Sequence, residues 1–327
     1  MKHEPYVKIF LMKNVKKFEK FNLTTFAVAP MLDWTDRHCR YFMRLMTKNA
    51  CFYTEMITTG AILYGNKDKQ LLFHPFEKPL VLQLGGNDPI ALAKCAKLGQ
   101  EFGYDEINLN IGCPSSRVQS GLFGACLMKT PGLVADCVKA MQDSVTIPVT
   151  VKTRTGVDDR DSLEHLFDFI DIVSQSGCQK FIIHARKAWL KGLSPKENRE
   201  IPPLNYVVVN QCKAQFPSLS FTLNGGIYSV LQAKQLLLEF DGVMLGRTVM
   251  HSPYILNSVD KEIFDENSTM KSREEIVELY KIYMKEELKN QVPQRVLLRP
   301  LMGLYFGAPG AKKWREMIAS KVPNWHF

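Results

Sequence analysis

The residue best suited to chemistry in this chain sits where a strand runs out. Residues Glu106 to Pro114 read Glu-Ile-Asn-Leu-Asn-Ile-Gly-Cys-Pro. The alternation of Ile107, Leu109 and Ile111 fits a short buried strand entering a tight turn. Cys113 lies between Gly112, which permits unusual dihedrals, and Pro114, which disfavours a helical conformation in the residue before it. A thiol with so little freedom suits catalysis. The commoner role of a free cysteine is a small buried hydrophobe, and on this stretch alone the two readings stand level. A nucleophilic cysteine would want a lowered pKa and a base beside it, and the sequence identifies no such dyad. An unperturbed thiol, with a pKa of about 8.5, is mostly protonated at neutral pH and can act as a general acid.

Polar residues fall at the ends of the predicted strands, that of Cys113 included: Gln83, Asn110 with Cys113, Lys152 with Arg154, His184, Asn224-Gly225-Gly226 and Gly246-Arg247. Taken singly they are ordinary. A lone strand-end histidine is usually a hydrogen-bonded structural residue, and an exposed lysine is usually just solvated. Six such ends on one face are harder to dismiss. The two glycine turns follow the seventh and eighth strands, where barrels build phosphate sites from backbone N–H groups. They are weak motifs, and two plain tight turns would explain them equally. Arg247 adds a fork suited to phosphate oxygens. Lys152 can neutralise charge on a reduced ring, while His184 and Gln83 offer hydrogen bonds, so a flavin mononucleotide fits.

The elements that must position these residues alternate. Strands are expected at 25–29, 51–55, 80–84, 106–111, 148–154, 180–184, 220–224 and 242–245. Helices are expected at 36–46, 89–101, 131–143, 162–176, 205–216 and 229–240. Eight strand–helix units over about 230 residues suit an α/β fold of the closed (β/α)8, or TIM-barrel, type. A doubly wound sheet is the alternative, but its G-x-G-x-x-G fingerprint is missing after the first strand. The barrel is expected over residues 23–254. Beyond it the alternation stops, and Ser272 to Glu275 is a capping box opening a long helix to about Asn290. Residues 255–327 are expected to form a smaller helical domain.

A net charge of +9 leans towards polyanionic partners without naming one. The eight cysteines never form a C-x-x-C pair, so zinc spacing is absent, no metal is expected, and reduced thiols in the cytoplasm fit. No apolar run reaches the roughly 18 residues that span a bilayer. Residues 1–22 hold six lysines against two glutamates, and a poorly ordered basic extension is expected there.

Several blocks go further than composition. Ala29-Pro30-Met31, Asn108 to Pro114, Gly121 to Met128, His184 to Leu190 and Asn224-Gly225-Gly226 together resemble the tRNA-dihydrouridine synthases. Gly192 to Arg199 is similar to the A-type subfamily in particular. The resemblance covers about Phe26 to Arg315. It implies an FMN-containing barrel with a helical domain that uses NADPH to reduce D-loop uridines of tRNA. By the same match Cys113 is the proton donor to C5, after hydride reaches C6. Pro30, Met31, Gln83, Lys152, His184, Asn224, Gly225, Gly226, Gly246 and Arg247 fall on flavin contacts, and Asn110 on a support for the uracil. Thr153 and Ser116 depart from the family pattern, which places His and Asp there.

Two basic stretches suit an RNA face. The loop from Arg186 to Arg199 carries a net +4 and includes Trp189, and the tail from Gln291 to Phe327 carries a net +5. Basic stretches are usually solvated faces. Beside a mononucleotide-sized site they make tRNA the expected partner, gripped by Arg154, Lys196, Arg199, Arg295 and Arg299, with the target base turned out of its stack. A monomer is expected. The competing reading is a flavin barrel acting on a small molecule, such as a dihydroorotate dehydrogenase or an ene-reductase. A non-catalytic RNA-binding barrel is a third, and it would leave Cys113 and Lys152 unexplained.

Overall fold

Eight parallel strands close into a ring. They are β1 (Phe26–Val28), β2 (Cys51–Tyr53), β3 (Leu80–Gly85), β4 (Glu106–Asn110), β5 (Val149–Arg154), β6 (Lys180–His184), β7 (Ser220–Asn224) and β8 (Gly242–Leu245). Each pairs with the next, and β8 returns to β1 through Phe26↔Val243 and Val28↔Leu245. The expected barrel is therefore the fold, and the open sheet is not. This computed structural model describes residues 25–264 and 267–320. The expected basic extension at 1–22 lies outside the described residues, as do residues 321–327 of the tail.

Local chemistry explains the helices. Helix α1 (Arg37–Arg44) starts where the Asp36 carboxylate accepts the Cys39 N–H at 2.8 Å. Pro89 and Pro131 open helices 89–102 and 131–144, where a missing N–H costs nothing. Gly103 ends the first of these at φ 94°, a left-handed conformation that favours glycine. Two short helices, Thr59–Leu63 and Lys67–Leu71, fill the connection before β3, where no element was expected. Five residues are too few to show a period.

Both faces of the strands are buried, as parallel barrel strands require. Ile107 faces outward with Leu82, crowding Gly99 of helix 89–102 so closely that a Cβ there would come within 2.7 Å of both. The alternate residues of β4, Glu106, Asn108 and Asn110, therefore point into the lumen. One half of the lumen is apolar, with Ala27, Cys51, Tyr53, Val81, Ile182 and Met244 in mutual contact. The other half, along β4 and β5, is polar, with Glu106, Asn108, Asn110, Thr150, Lys152 and Arg154.

After β8 the chain is helical. The long helix Arg273–Lys289 opens with both arms of the expected Ser272/Glu275 capping box. Shorter helical turns follow at 294–298, 299–303 and 311–319, and Gly307 and Gly310, between the last two, lie at positive φ. This part packs on α1. Tyr283 stacks on Tyr41 with ring centres 3.8 Å apart and bonds His38 Nδ1 at 2.8 Å, while Glu287 pairs with Arg37 and Asp36 with Arg299. One continuous apolar cluster runs from Phe26 to Ile318. Among the described residues no helix is long and apolar enough to cross a membrane.

Candidate active site

Strand register brings the predicted residues to one rim. Asn110 pairs with Lys152, Arg154 with His184, and His184 with Asn224, so their side chains share the C-terminal mouth of the barrel. Met31 reaches the same rim from the β1 loop, its sulfur 3.7 Å from where a Cβ on Gly246 would sit. Thr248 donates from Oγ1 to the Ile227 carbonyl at 2.6 Å, which holds the two glycine turns side by side. Pro30 adjoins Met31 at the end of β1, half-buried.

The thiol turn is fixed by one amide. Asn110 Oδ1 accepts the N–H groups of Gly112 at 3.1 Å and Cys113 at 3.0 Å, while its Nδ2 donates to Gln83 Oε1 at 2.9 Å. The dihedral freedom expected of Gly112 is not used, since its φ is not positive and a Cβ there would meet only ordinary contacts. The glycine this turn needs is Gly124, at φ 74°, where a Cβ would fall 2.6 Å from the Cys113 carbonyl. Cys113 is half-buried, with Sγ 3.6 Å from Ser115 Oγ. Six of the eight cysteines are fully buried. Burial pushes their thiols up, Cys95 to about 11 and Cys212 to about 12, which suits inert packing. Cys113 is set apart by its place at the rim.

The mouth is cationic. Lys152 Nζ donates to Asn224 Oδ1 at 3.0 Å, and Asn224 Nδ2 donates to the Met244 carbonyl at 2.7 Å. Burial, then repulsion from Arg154, lowers Lys152 from its usual range to about 7. His184 is held well below its usual value by burial and by Arg154 and Lys152, so it is a neutral ring. Gly225, at φ 110°, lets His184 in: a Cβ would lie 2.6 Å from the imidazole. Gly226, at φ 69°, would place a Cβ 2.2 Å from Leu204. Arg186 and Arg199 each bury an Nε with no hydrogen-bond partner among the described residues. Among the described residues, the only carboxylate in an ion pair with Lys152, Arg154, Arg186, Arg199 or Arg247 is that of Glu200, 2.6 Å from Arg247. A rim with spare donors, crowded glycine turns and uncompensated positive charge fits a flavin mononucleotide.

Two expected RNA contacts are already engaged. Arg154 is 3% exposed. It donates from Nε to the Gly112 carbonyl at 2.8 Å and from Nη1 to those of Lys187 and Asn198 at 3.0 and 2.9 Å. It therefore ties β5 to the thiol turn and to the basic loop, out of reach of a phosphate. Arg299 is paired with Asp36 and about a third exposed, while Arg295, one helical turn earlier, is exposed. Both line a groove of about 460 Å³ with Met302 and Ile318. Lys196 is exposed and Arg199 half-buried on the loop after β6. Thr153 faces away from the lumen, fully buried, and Ser116 is exposed outside the rim.

Sequence reasoning passed over Asn198 and Asn108. Asn198 is fully buried and organises the basic loop, bonding both the N–H and the carbonyl of Trp189. Nothing in its local sequence marks it. Asn108 bonds Gln83 at 2.8 Å, and the period-two run Glu106, Asn108, Asn110 is the signal that could have found it.

Comparison with known proteins decides the family. The model of the family described as dihydrouridine synthase (Dus) matches residues 27–323. The chain belongs to the dihydrouridine synthase family. These are flavin-dependent oxidoreductases that modify tRNA. The chain is 58% identical over 297 residues to a tRNA-dihydrouridine(20/20a) synthase of Vibrio parahaemolyticus, covering 90% of this chain and 91% of the relative. It is 57% identical to proteins of the same name from Escherichia coli strain K12 and Shigella flexneri, covering 91% of this chain and 86% and 88% of theirs.

Proposed function

We propose that this protein is a tRNA-dihydrouridine(20/20a) synthase that uses FMN and NADPH to reduce the C5=C6 bond of D-loop uridines. The observation that carries the reading is the fixed thiol of Cys113 on a cationic rim, in a chain whose curated relatives carry that name. Gly225, Gly226, Gly246 and Arg247 would hold the FMN phosphate; Pro30, Met31, Gln83, Lys152, His184 and Asn224 would line the ring. Bound and reduced, FMN supplies the hydride that adds to C6 of uracil.

The chain's own residues do the rest. Cys113 donates a proton to C5 as a general acid, and Asn110 orients both the thiol turn and the uracil. Lys152, with Asn224 steadying its ammonium, offsets negative charge at the mouth. Lys196, Arg199 and Arg295 meet tRNA phosphates, with Arg299 at the edge of the same groove and Arg154 bracing the loop behind them. The target uridine leaves its stack to enter the rim. The protein works as a monomer in the cytoplasm, and residues 255–320 serve as the RNA-binding helical part. Mapping dihydrouridine in tRNA from a deletion strain tests this: positions 20 and 20a should lose the modification and regain it with the wild-type gene. Full modification in the deletion strain would refute it.

A further inference from the structure

A line of hydrogen bonds descends the polar half of the lumen from the thiol turn to the barrel floor. At the floor Glu106, fully buried, accepts Lys180 Nζ at 2.6 Å on Oε2. Its Oε1 accepts Thr150 Oγ1 at 2.6 Å and the Tyr53 hydroxyl at 3.3 Å. With its one proton spent on Glu106, Thr150 Oγ1 accepts Asn108 Nδ2 at 2.9 Å. Asn108 Oδ1 then accepts Gln83 Nε2 at 2.8 Å, and Gln83 Oε1 accepts Asn110 Nδ2 at 2.9 Å. Asn110 Oδ1 closes the line on the N–H groups of Gly112 and Cys113.

The line has a direction. A carboxylate paired with a lysine only accepts, and a backbone N–H only donates, so the two ends demand the same sense. An isolated amide can turn over at little steric cost, because its oxygen and nitrogen are nearly the same size. Within the line, one reversed amide sets donor against donor and acceptor against acceptor.

We propose that Glu106 is a positioning residue: from the barrel floor it locks, together with the N–H groups of the thiol turn, which way the amides of Gln83 and Asn110 face. This rests on the reading of Gln83 as a flavin contact and Asn110 as a uracil contact. Beyond its bonds in the line, Gln83 keeps one N–H and one oxygen lone pair. Their order is then fixed for an imide edge, in which an N–H adjoins a carbonyl, as in the flavin pyrimidine. The same direction points Asn110 Oδ1 at the turn that carries Cys113.

Thr150→Val leaves the Glu106–Lys180 pair in place and interrupts the line above it, whereas Thr150→Ser keeps the hydroxyl. In FMN-free protein, hydrogen exchange at the amides of Gly112 and Cys113 should quicken about tenfold in Thr150→Val, the factor one lost hydrogen bond carries. The FMN dissociation constant should weaken by a similar factor, and Thr150→Ser should match wild type in both. If Thr150→Val does not fold, Glu106→Gln, whose amide can donate as well as accept, is measured in the same two ways. Wild-type exchange in the interrupted variant overturns the proposal, as does a Thr150→Ser variant equally impaired, because then packing is the cause. Faster exchange with unchanged FMN affinity upholds the directed line and removes Gln83 from the flavin contacts.

Discussion

Adding FMN to the flavin-free protein at pH 8 should draw a proton from solution, and Lys152 is where it should go. Lys152 stands beside Arg154 with no carboxylate among the described residues paired to it, and burial first, then Arg154, lowers it from 10.5 to about 7, against a smaller opposing pull from Cys113. At pH 8 such an amine is roughly one-tenth protonated. The FMN phosphate, which the glycine turns of the same rim would hold, brings about two negative charges at that pH, and an anion added to that desolvated rim favours the charged amine. If Lys152 returns to its ordinary range, uptake approaches roughly 0.9 proton per FMN bound. The sign follows: the complex holds more protons than its separate parts above pH 7, so affinity falls as pH rises, steepening towards about tenfold per unit above pH 8. At pH 6 the lysine is already charged, while a phosphate with its second pKa near 6 enters as a dianion and sheds roughly half a proton. Net flow therefore reverses between the two conditions. Titration calorimetry in two buffers of different ionisation enthalpy measures both. Lys152→Met should abolish the uptake at pH 8 and keep the release at pH 6. Absence of uptake in wild type, or uptake that survives Lys152→Met, refutes the reasoning.

Cys113→Ala should retain FMN and its reduction by NADPH while dihydrouridine formation falls by about 10²–10⁴-fold, measured by mass spectrometry of the tRNA product. Arg295→Ala should weaken tRNA binding and reduce the salt slope by about 0.7–0.9 log units per log unit of salt, since it removes one phosphate contact. Arg299→Ala should in addition lower the melting temperature, because it strips Asp36 of its ion-pair partner; equal melting temperatures for the two variants would count against that distinction. Gly226→Ala should cost roughly 1–3 kcal/mol from the left-handed backbone and the Leu204 clash, read by thermal denaturation, and should empty the flavin site.

The barrel was legible because its signals are local. Eight apolar runs separated by capped helices need no knowledge of tertiary contacts, and the Ser272 box and the prolines at 89 and 131 landed on real helix starts. The rim was legible because strand ends share one face by geometry. Pairing was not legible. Arg154 and Arg299 are cations in sequence, but one is spent on three carbonyls and the other on Asp36, decisions made by residues between 33 and 263 positions away. Gly112 misled for a related reason: the left-handed demand fell on Gly124, whose neighbour across the turn is the Cys113 carbonyl.

The stacking of Tyr283 on Tyr41 has a mechanical consequence. Because the apolar cluster is unbroken from barrel to C-terminal helices, the segment bearing Arg295 is packed onto the barrel rather than tethered to it. On the proposed reading, with Lys196 and Arg295 as phosphate contacts, that packing acts as a fixed-gauge caliper. The gap between the two cations is set before tRNA arrives, and an RNA with the right uridine but an unfolded elbow would span the wrong gap.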